Sequence, residues 1–233
     1  MIKLTVVITS YNEVKTVLQS VNDAKLIDVE DKEIIIIDNC SNDGTRELLK
    51  NINDPSINLI LQDKNYGFGK SIEIGLNTAK GKYTYIHHAD NEYDYRYVPK
   101  MLDFAEKHDL DIVIGSRVKN FNSSRWNLIK QRPEYLATVI STFLINLWYT
   151  KKFTDIIGSR LYKTSTIKEV PISTYGAGFD FESISRICKR KLKIEEIAIG
   201  YTPRICRKDK KIKWYHMIDA LIYMFKERFL NHK

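Results

Sequence analysis

Four consecutive isoleucines, Ile34 to Ile37, constrain this chain more than any other stretch. A run with no alternating polar position suits a strand covered on both faces, as in a parallel sheet held between two layers of helices. The neighbouring segments follow the same grammar. Leu4 to Ile8 is a short β-branched run followed by a polar loop, after which Val14, Val17, Leu18 and Val21 recur at helical spacing. Thr45 to Lys50 reads as a helix, Ile57 to Leu61 as a third strand and Ile72 to Ala79 as a third helix. Tyr83 to His87 is the fourth strand, Val98 to Glu106 a helix and Asp111 to Ile114 the fifth strand. Alternating β and α at this spacing predicts an α/β protein with a parallel, doubly wound sheet through about residue 117. With 233 residues, 43% of them hydrophobic, the chain has ample core for one domain or a domain with a small appendage.

In such a sheet the carboxyl ends of the strands share one edge, and ligands bind there. Three of the predicted ends carry polar clusters: Tyr11-Asn12-Glu13, Asp38 to Asp43, and His88 to Asp94. The last holds His88, Asp90, Glu92 and Asp94, an oxygen-rich set that suits Mg²⁺ or Mn²⁺ held jointly by carboxylates and substrate phosphates. With no metal, the same stretch is a polar loop after a strand. Asp38 stands where an acidic residue commonly binds a ribose or a base, or else forms an Asx turn or cap; Asp43, just before a helix, fits the cap better. Asn65 to Lys70 is a glycine-bearing loop at a helix start, where exposed backbone N–H groups and Lys70 suit a diphosphate. It lacks the third glycine of a dinucleotide fingerprint and follows the third strand rather than the first. His87 points to the opposite sheet face from His88 and reads as structural.

Charge is unevenly placed. Thirteen Lys or Arg stand against five Asp or Glu from Lys189 to Lys233, so the net +8 belongs to the C-terminal fifth. Such a patch meets nucleic acid, anionic lipid or a phosphorylated substrate, or is a solvated face. Tyr135 to Tyr149 has no charge but is shorter than the roughly 20 residues of a membrane span, so it reads as a buried or interfacial helix beside Lys151 and Lys152. Trp214, Met217, Ile218, Leu221, Ile222, Phe225 and Phe229 share one helical face, preceded by Lys208, Lys210, Lys211 and Lys213. Cys40, Cys188 and Cys206 are scattered and odd in number, which predicts a reducing compartment and no zinc site. The apolar run at Leu4 to Ile8 is too short for a signal peptide, so the expectation is a cytosolic protein.

The segments Val6-Val7-Ile8-Thr9-Ser10-Tyr11-Asn12-Glu13, Ile35 to Thr45, Asn65-x-Gly67-x-Gly69, Ala79-x-Gly81 and Ala89-Asp90 strongly resemble the family 2 glycosyltransferases of the GT-A fold. Within that family the chain looks most like the dolichol-phosphate mannose synthases and polyprenyl-phosphate glucosyltransferases. The match is dense from Leu4 to Arg117 and thinner beyond, through Asp155 to Tyr162 and Glu196 to Arg204.

The resemblance implies a nucleotide-sugar-binding half, 1–117, and an acceptor-binding half with a basic amphipathic segment, 118–233, in one continuous domain. It implies a donor site of Thr9, Tyr11, Glu13, Asp38, Gly67, Gly69, Lys70, Ala89, Asp90, Arg117 and Arg160. The divalent metal would be held by Asp90, with His88 and Glu92 as further ligands. The family's Asp-x-Asp is His88-Ala89-Asp90 here and its usual Gln is Glu92; because His is a poor Mg²⁺ ligand, the site would prefer Mn²⁺ or rely on Asp90 and Glu92. Arg204 and Lys210 match cations that close over the phosphates, although the intervening Gly and Ser are Arg207 and Asp209 here. Arg160 is a phosphate contact or a structural ion pair, and Asp180 and Glu182 sit where other branches place the catalytic base.

The expected activity is metal-dependent, inverting transfer of a hexose from a UDP-glucose or GDP-mannose type donor. The acceptor is polyprenyl or dolichyl phosphate at the cytoplasmic membrane face, where the protein is peripheral, or alternatively a glycan hydroxyl in cell-surface polysaccharide synthesis. No nucleic-acid partner is expected, since that reading leaves the acidic cluster unexplained. The alternatives of another class are a nucleic-acid-binding module that uses the basic tail and an inactive membrane-associated relative, the latter argued from the altered Asp-x-Asp.

Overall fold

In the computed structural model, residues 1–119, 129–130, 135–171, 173–176, 178–203 and 216–230 are described, with side chains at 216–220 excepted. Seven strands form one sheet in the order β3-β2-β1-β4-β6-β5-β7. They are β1 Leu4–Ser10, β2 Lys32–Asp38, β3 Ile57–Leu61, β4 Tyr83–His88, β5 Ile112–Ser116, β6 Ser159–Lys163 and β7 Ile194–Ala198. The helices are α1 Val17–Leu26, α2 Thr45–Lys50, α3 Phe68–Thr78, α4 Val98–Lys107, α5 Tyr135–Tyr149, α6 Thr164–Lys168, α7 Phe179–Lys189 and α8 His216–Phe229. β1 to β4 are mutually parallel, β5 pairs parallel with β7, and β6 runs antiparallel between β4 and β5. The sheet is thus mostly parallel, as expected: β1 to β5 run in one direction, and the antiparallel strand among them, β6, comes from the second half of the chain.

The four isoleucines divide by period two between the layers. Ile34 and Ile36 join Leu4, Val6, Ile8 and the α1 and α4 residues Val17, Val21, Met101 and Leu102 on one face. Ile35 and Ile37 join Val7, Ile86, Ile72, Leu76, Ile145, Phe179 and Ile187 on the other. α3 begins at Phe68, four residues before the expected Ile72, because Gly67 already breaks the preceding loop with φ near +92°. β2 lies to one side of β1 and β4 to the other, so chain connections diverge at the β1/β4 junction, the topological switch point where a crevice opens beyond the carboxyl ends.

His87 is buried, 1% exposed, on the α1 side of β4. Burial, reinforced by neighbouring His88 and opposed by the Ser20 backbone, pushes its imidazole down to about 4 from 6.5. Above about pH 6.5 both folded and unfolded chains hold it neutral. As pH falls from there toward 4, the unfolded chain takes up a proton that the folded one refuses, so stability is lost on acidification. Urea unfolding at pH 7.5 and 4.5 should show a stability loss in the wild type that exceeds the loss in His87→Leu by about 2 kcal/mol.

Candidate active site

The switch-point edge gathers the first, second and fourth strand ends. Register places Thr9 beside His88 and Ser10 beside Asp38. Past the last ladder pairs, Asn39 N donates to Ser10 O (2.9 Å) and Ala89 N to Thr9 O (3.3 Å), so the chain leaves all three strands at one level. Each exit then bends through a left-handed residue, Asn12 (φ 53°), Cys40 (φ 62°) and Asn91 (φ 56°). The bends are fixed by side chains. Asn12 N donates to Ser41 Oγ at 2.9 Å, Asn42 N to Asn12 Oδ1 at 2.9 Å and Glu13 N to Thr45 Oγ1 at 2.8 Å. Asp43 accepts from Val14 N and from Thr45 N and Oγ1, which makes it the clasp between the first two loops.

Asp38 is fully buried. Its Oδ2 accepts from Ser41 N (3.2 Å) and pairs with Arg46 Nε (2.7 Å), whereas its Oδ1 is buried with no hydrogen-bond partner. A buried acceptor left unsatisfied is destabilising by about 1–3 kcal/mol, so Oδ1 is the kind of atom that a ligand N–H or O–H relieves. Arg46, which also donates to the Gln62 carbonyl, was not singled out from the sequence. Its only signal was a cation one residue into the helix that follows Asp38.

The glycine loop differs from expectation. Gly67 N donates to Asn65 Oδ1 (2.9 Å) and Gly69 N to the Tyr175 carbonyl (2.8 Å), so these two N–H groups are engaged within the protein. The glycines are required by close approach: a Cβ on Gly67 would lie 2.3 Å from the Tyr175 carbonyl oxygen, and one on Gly69 2.6 Å from that of Thr174. Lys70 pairs with Glu73 at 2.7 Å and lies over the Tyr175 ring.

The acidic stretch after β4 divides. His88 stacks on Phe68, with ring centroids 5.4 Å apart, and faces Tyr93 at 5.8 Å. Asp90, half-buried, accepts from Glu92 N at 3.2 Å. Glu92 turns inward to accept from Tyr201 Oη at 2.9 Å, and Asp94 caps the short 3₁₀ turn at Tyr95–Tyr97 and pairs with Arg96 at 2.7 Å. Thr202 N donates to the Glu92 carbonyl and Asp94 N to that of Gly200, so the loop is stitched to the chain leading into residue 204. Among the described residues no three His, Cys, Asp or Glu side chains gather closely enough to hold an ion alone. The four-ligand expectation therefore contracts. What remains fits a cation that arrives with a diphosphate and takes most of its oxygens from it, with Asp90 as the protein carboxylate. Tyr201 was missed from the sequence because it lies 109 residues from its partner.

Other expected site residues lie deeper. Arg117 is 11% exposed, forms a two-point ion pair with Asp155 (2.7 and 2.9 Å) and is flanked by the Tyr135 and Tyr201 rings. Arg160, 4% exposed, donates to Ser183 Oγ and the Ile156 carbonyl and pairs with Asp180 at 3.2 Å; this is the ion-pair alternative of the sequence reading. Glu182, 1% exposed, accepts from Ser173 N and Thr174 N and pairs with Arg186 at 2.7 Å. Burial alone would raise its carboxyl, but those hydrogen bonds and the Arg186 cation outweigh burial and hold it below the usual range. Glu182 thereby fixes the 173–175 segment on which Gly67 and Gly69 pack. Arg204 and Lys210 lie outside the described residues, as do Lys208, Lys211, Lys213 and Trp214.

Comparison with known proteins shows the family and the fold. The family model described as glycosyl transferase family 2 matches residues 5–170. An uncharacterized protein of Methanocaldococcus jannaschii is 27% identical over 82% of this chain and 84% of its own. The dolichyl-phosphate beta-glucosyltransferase of Dictyostelium discoideum is 28% identical over 86% of this chain and 67% of its own. The low-salt glycan biosynthesis hexosyltransferase Agl6 of Haloferax volcanii is 24% identical over 86% of this chain, which spans only 48% of Agl6. Glucosyl-3-phosphoglycerate synthase from Mycobacterium tuberculosis, solved with Mn²⁺, UDP and glucosyl-3-phosphoglycerate, superposes with a TM-score of 0.68 at 14% identity, covering 97% of this chain and 80% of that one. S. aureus TarS in complex with UDP-GlcNAc superposes at 0.63 and 16% identity, covering 99% and 68%. At these identities the structural likeness shows the fold, which is GT-A. The matched span holds the first, second and fourth strand ends that build the crevice, and it exceeds half the sequence: the chain belongs to glycosyl transferase family 2.

Proposed function

We propose that this glycosyltransferase moves a hexose, with inversion, from a UDP-glucose or GDP-mannose type donor to polyprenyl phosphate at a membrane surface. Asp38 Oδ1 would accept from the base, with Tyr11 and Glu13 lining the nucleoside and Thr9 and Ala89 flooring the crevice. Asp90 would hold the divalent cation together with the diphosphate. When bound, that cation supplies Lewis-acid stabilisation of charge building on the departing phosphate. Lys70, and Arg204 and Lys210 by resemblance, would add positive charge to the same group. The dolichyl-phosphate beta-glucosyltransferase of Dictyostelium among the relatives supports the acceptor class.

The observation that carries the acceptor reading is the state of the two candidate bases. Glu182 is sealed and paired with Arg186, and Asp180 is paired with Arg160. A sugar hydroxyl needs a positioned base to take its proton. A phosphate monoester, with a second pKa near 6, brings its own oxyanion at neutral pH. The rival, a glycan hydroxyl, is favoured by Asp180, whose side chain keeps 29% exposure, and by the glycan biosynthesis hexosyltransferase Agl6 among the relatives.

The test is transfer from a panel of UDP- and GDP-sugars to polyprenyl phosphate and, separately, to glycan acceptors, by wild-type, Asp180→Asn and Glu182→Gln proteins with wild-type circular dichroism. Transfer to the lipid phosphate should stay within about tenfold of wild type in both variants, because general-base loss alone is worth about 10²–10⁴. A folded carboxylate variant that loses several orders of magnitude would sink the phosphate acceptor.

A further inference from the structure

We propose that the outward faces of α5 and α8 form one docking surface for an anionic lipid bilayer. α5 buries Tyr135, Ala137, Thr138, Ser141, Thr142 and Ile145 against the protein. On its opposite side stand Leu136, Ile140, Phe143 and Leu147, of which Phe143 and Leu147 are each 64% exposed. Steps of four, three and four residues keep these side chains on one stripe, where a helix of a water-bathed protein carries polar groups. None of the fifteen residues of α5 is charged.

α8 repeats the pattern. Met224 and Glu227 face inward, while Ile222, Phe225 and Phe229 face outward with Leu230 just beyond the helix. Trp148, next to Leu147, packs edge-on against Phe225 and Phe229 at centroid distances of 6.5 and 5.6 Å. Arg228 lies over the Tyr149 ring. The two stripes therefore adjoin, and contiguous exposed apolar surface of this kind marks an interaction site.

Charge decides the occupant. Lys152 and Lys226 are exposed at the margins, with Lys151 and Arg228 beside them. Among the described side chains of α5 and α8 the one carboxylate is Glu227, which is buried and paired with Arg186 at 2.7 Å. An apolar stripe with a basic margin and, among the described side chains, no outward acid matches anionic headgroups above acyl chains. A second copy would set these cations against one another. Among the described residues no helix is long and apolar enough to cross a membrane, so the surface would lie on the bilayer. The inference deepens the lipid-acceptor reading and rests on it for its purpose, but docking is measurable without turnover.

The experiment is co-sedimentation of the full chain with vesicles of equal parts phosphatidylglycerol and phosphatidylcholine, and with pure phosphatidylcholine. Wild type should bind the anionic vesicles. Phe143→Ser/Leu147→Ser should bind at least about tenfold more weakly with an unchanged melting temperature, since both side chains are exposed and lose several lipid-buried carbons. Lys152→Gln/Lys226→Gln should lose about fivefold per cation on anionic vesicles and nothing on phosphatidylcholine. Wild type that fails to bind anionic vesicles, or a Phe143/Leu147 variant that binds like wild type, overturns the proposal. So does a concentration-dependent wild-type dimer in light scattering that the same variant abolishes, because a second copy then covers the face. Vesicle binding without transfer to detergent-dispersed polyprenyl phosphate overturns the acceptor reading and leaves the surface standing.

Discussion

Asp90→Ala is expected to lower hexosyl transfer by about two to three orders of magnitude, the range seen when one electrostatic stabiliser of a leaving oxyanion is removed. Its position makes it the largest single effect at the crevice. Asp90 sits one residue past the Ala89 N to Thr9 O bond that closes the β1/β4 junction, and its two acidic neighbours are committed elsewhere, Glu92 to Tyr201 and Asp94 to Arg96. No other carboxylate of that loop is placed to take over its part. Asp38→Ala should behave differently, weakening UDP or GDP binding with or without Mn²⁺, because Asp38 lies on the other side of β1 and, in the proposed role, its orphaned Oδ1 would accept from the base. Calorimetry of both variants separates the roles: Asp90→Ala should abolish only the increment that Mn²⁺ adds, with kcat falling more than nucleotide affinity. Equal loss of metal-independent binding in the two variants would contradict the assignment.

The sequence carried the layers and the strand ends more clearly than the inner ties. Ile34 to Ile37 announced a doubly covered strand because burial on both faces leaves no polar alternation to misread. Tyr135 to Tyr149 matched its helix because a long uncharged run at helical spacing admits few other readings. β6 was missed because Ser159–Lys163 alternates weakly and its antiparallel place between β4 and β5 is decided by partners distant in sequence. The same limit governs the site. The places of Tyr11, Asp38 and Asp90 at the crevice edge are legible because each stands at, or within two residues of, the end of its own strand. Arg46 on Asp38, Tyr201 on Glu92 and Tyr175 against Gly67 are contacts across the fold that no local spacing encodes. Gly67 and Gly69 show how one motif admits two causes: the sequence suggests backbone N–H groups exposed for a diphosphate, and only the neighbours show that the Thr174 to Tyr175 backbone leaves no room for a side chain.

Asp155→Ala is expected to cost about 3–5 kcal/mol of stability, the range for breaking a buried ion pair from one side, which is a large part of a typical total of about 5–15 kcal/mol. Asp155 is fully buried and accepts from Arg117 N, Nε and Nη2 and from Ile157 N. Burial alone would raise its carboxyl, but the Arg117 cation and these hydrogen bonds prevail and hold it below 3.8. The pair therefore contributes fully above about pH 4 and is lost only as pH falls through the depressed value. Removing the carboxylate leaves the Arg117 guanidinium between the Tyr135 and Tyr201 rings with no anion. Arg117→Met/Asp155→Leu removes both charges and should recover most of the loss, since a buried pair replaced by apolar groups of similar volume is often neutral. Urea unfolding of the single and double variants checks the stability order. Transfer by the double variant then tests the part of Arg117 implied by family resemblance. If Arg117 serves as a strut behind Tyr201, the refolded double variant keeps transfer within about tenfold; a stably folded double variant that loses a hundredfold or more, about 2.7 kcal/mol of transition-state stabilisation, returns Arg117 to the donor diphosphate.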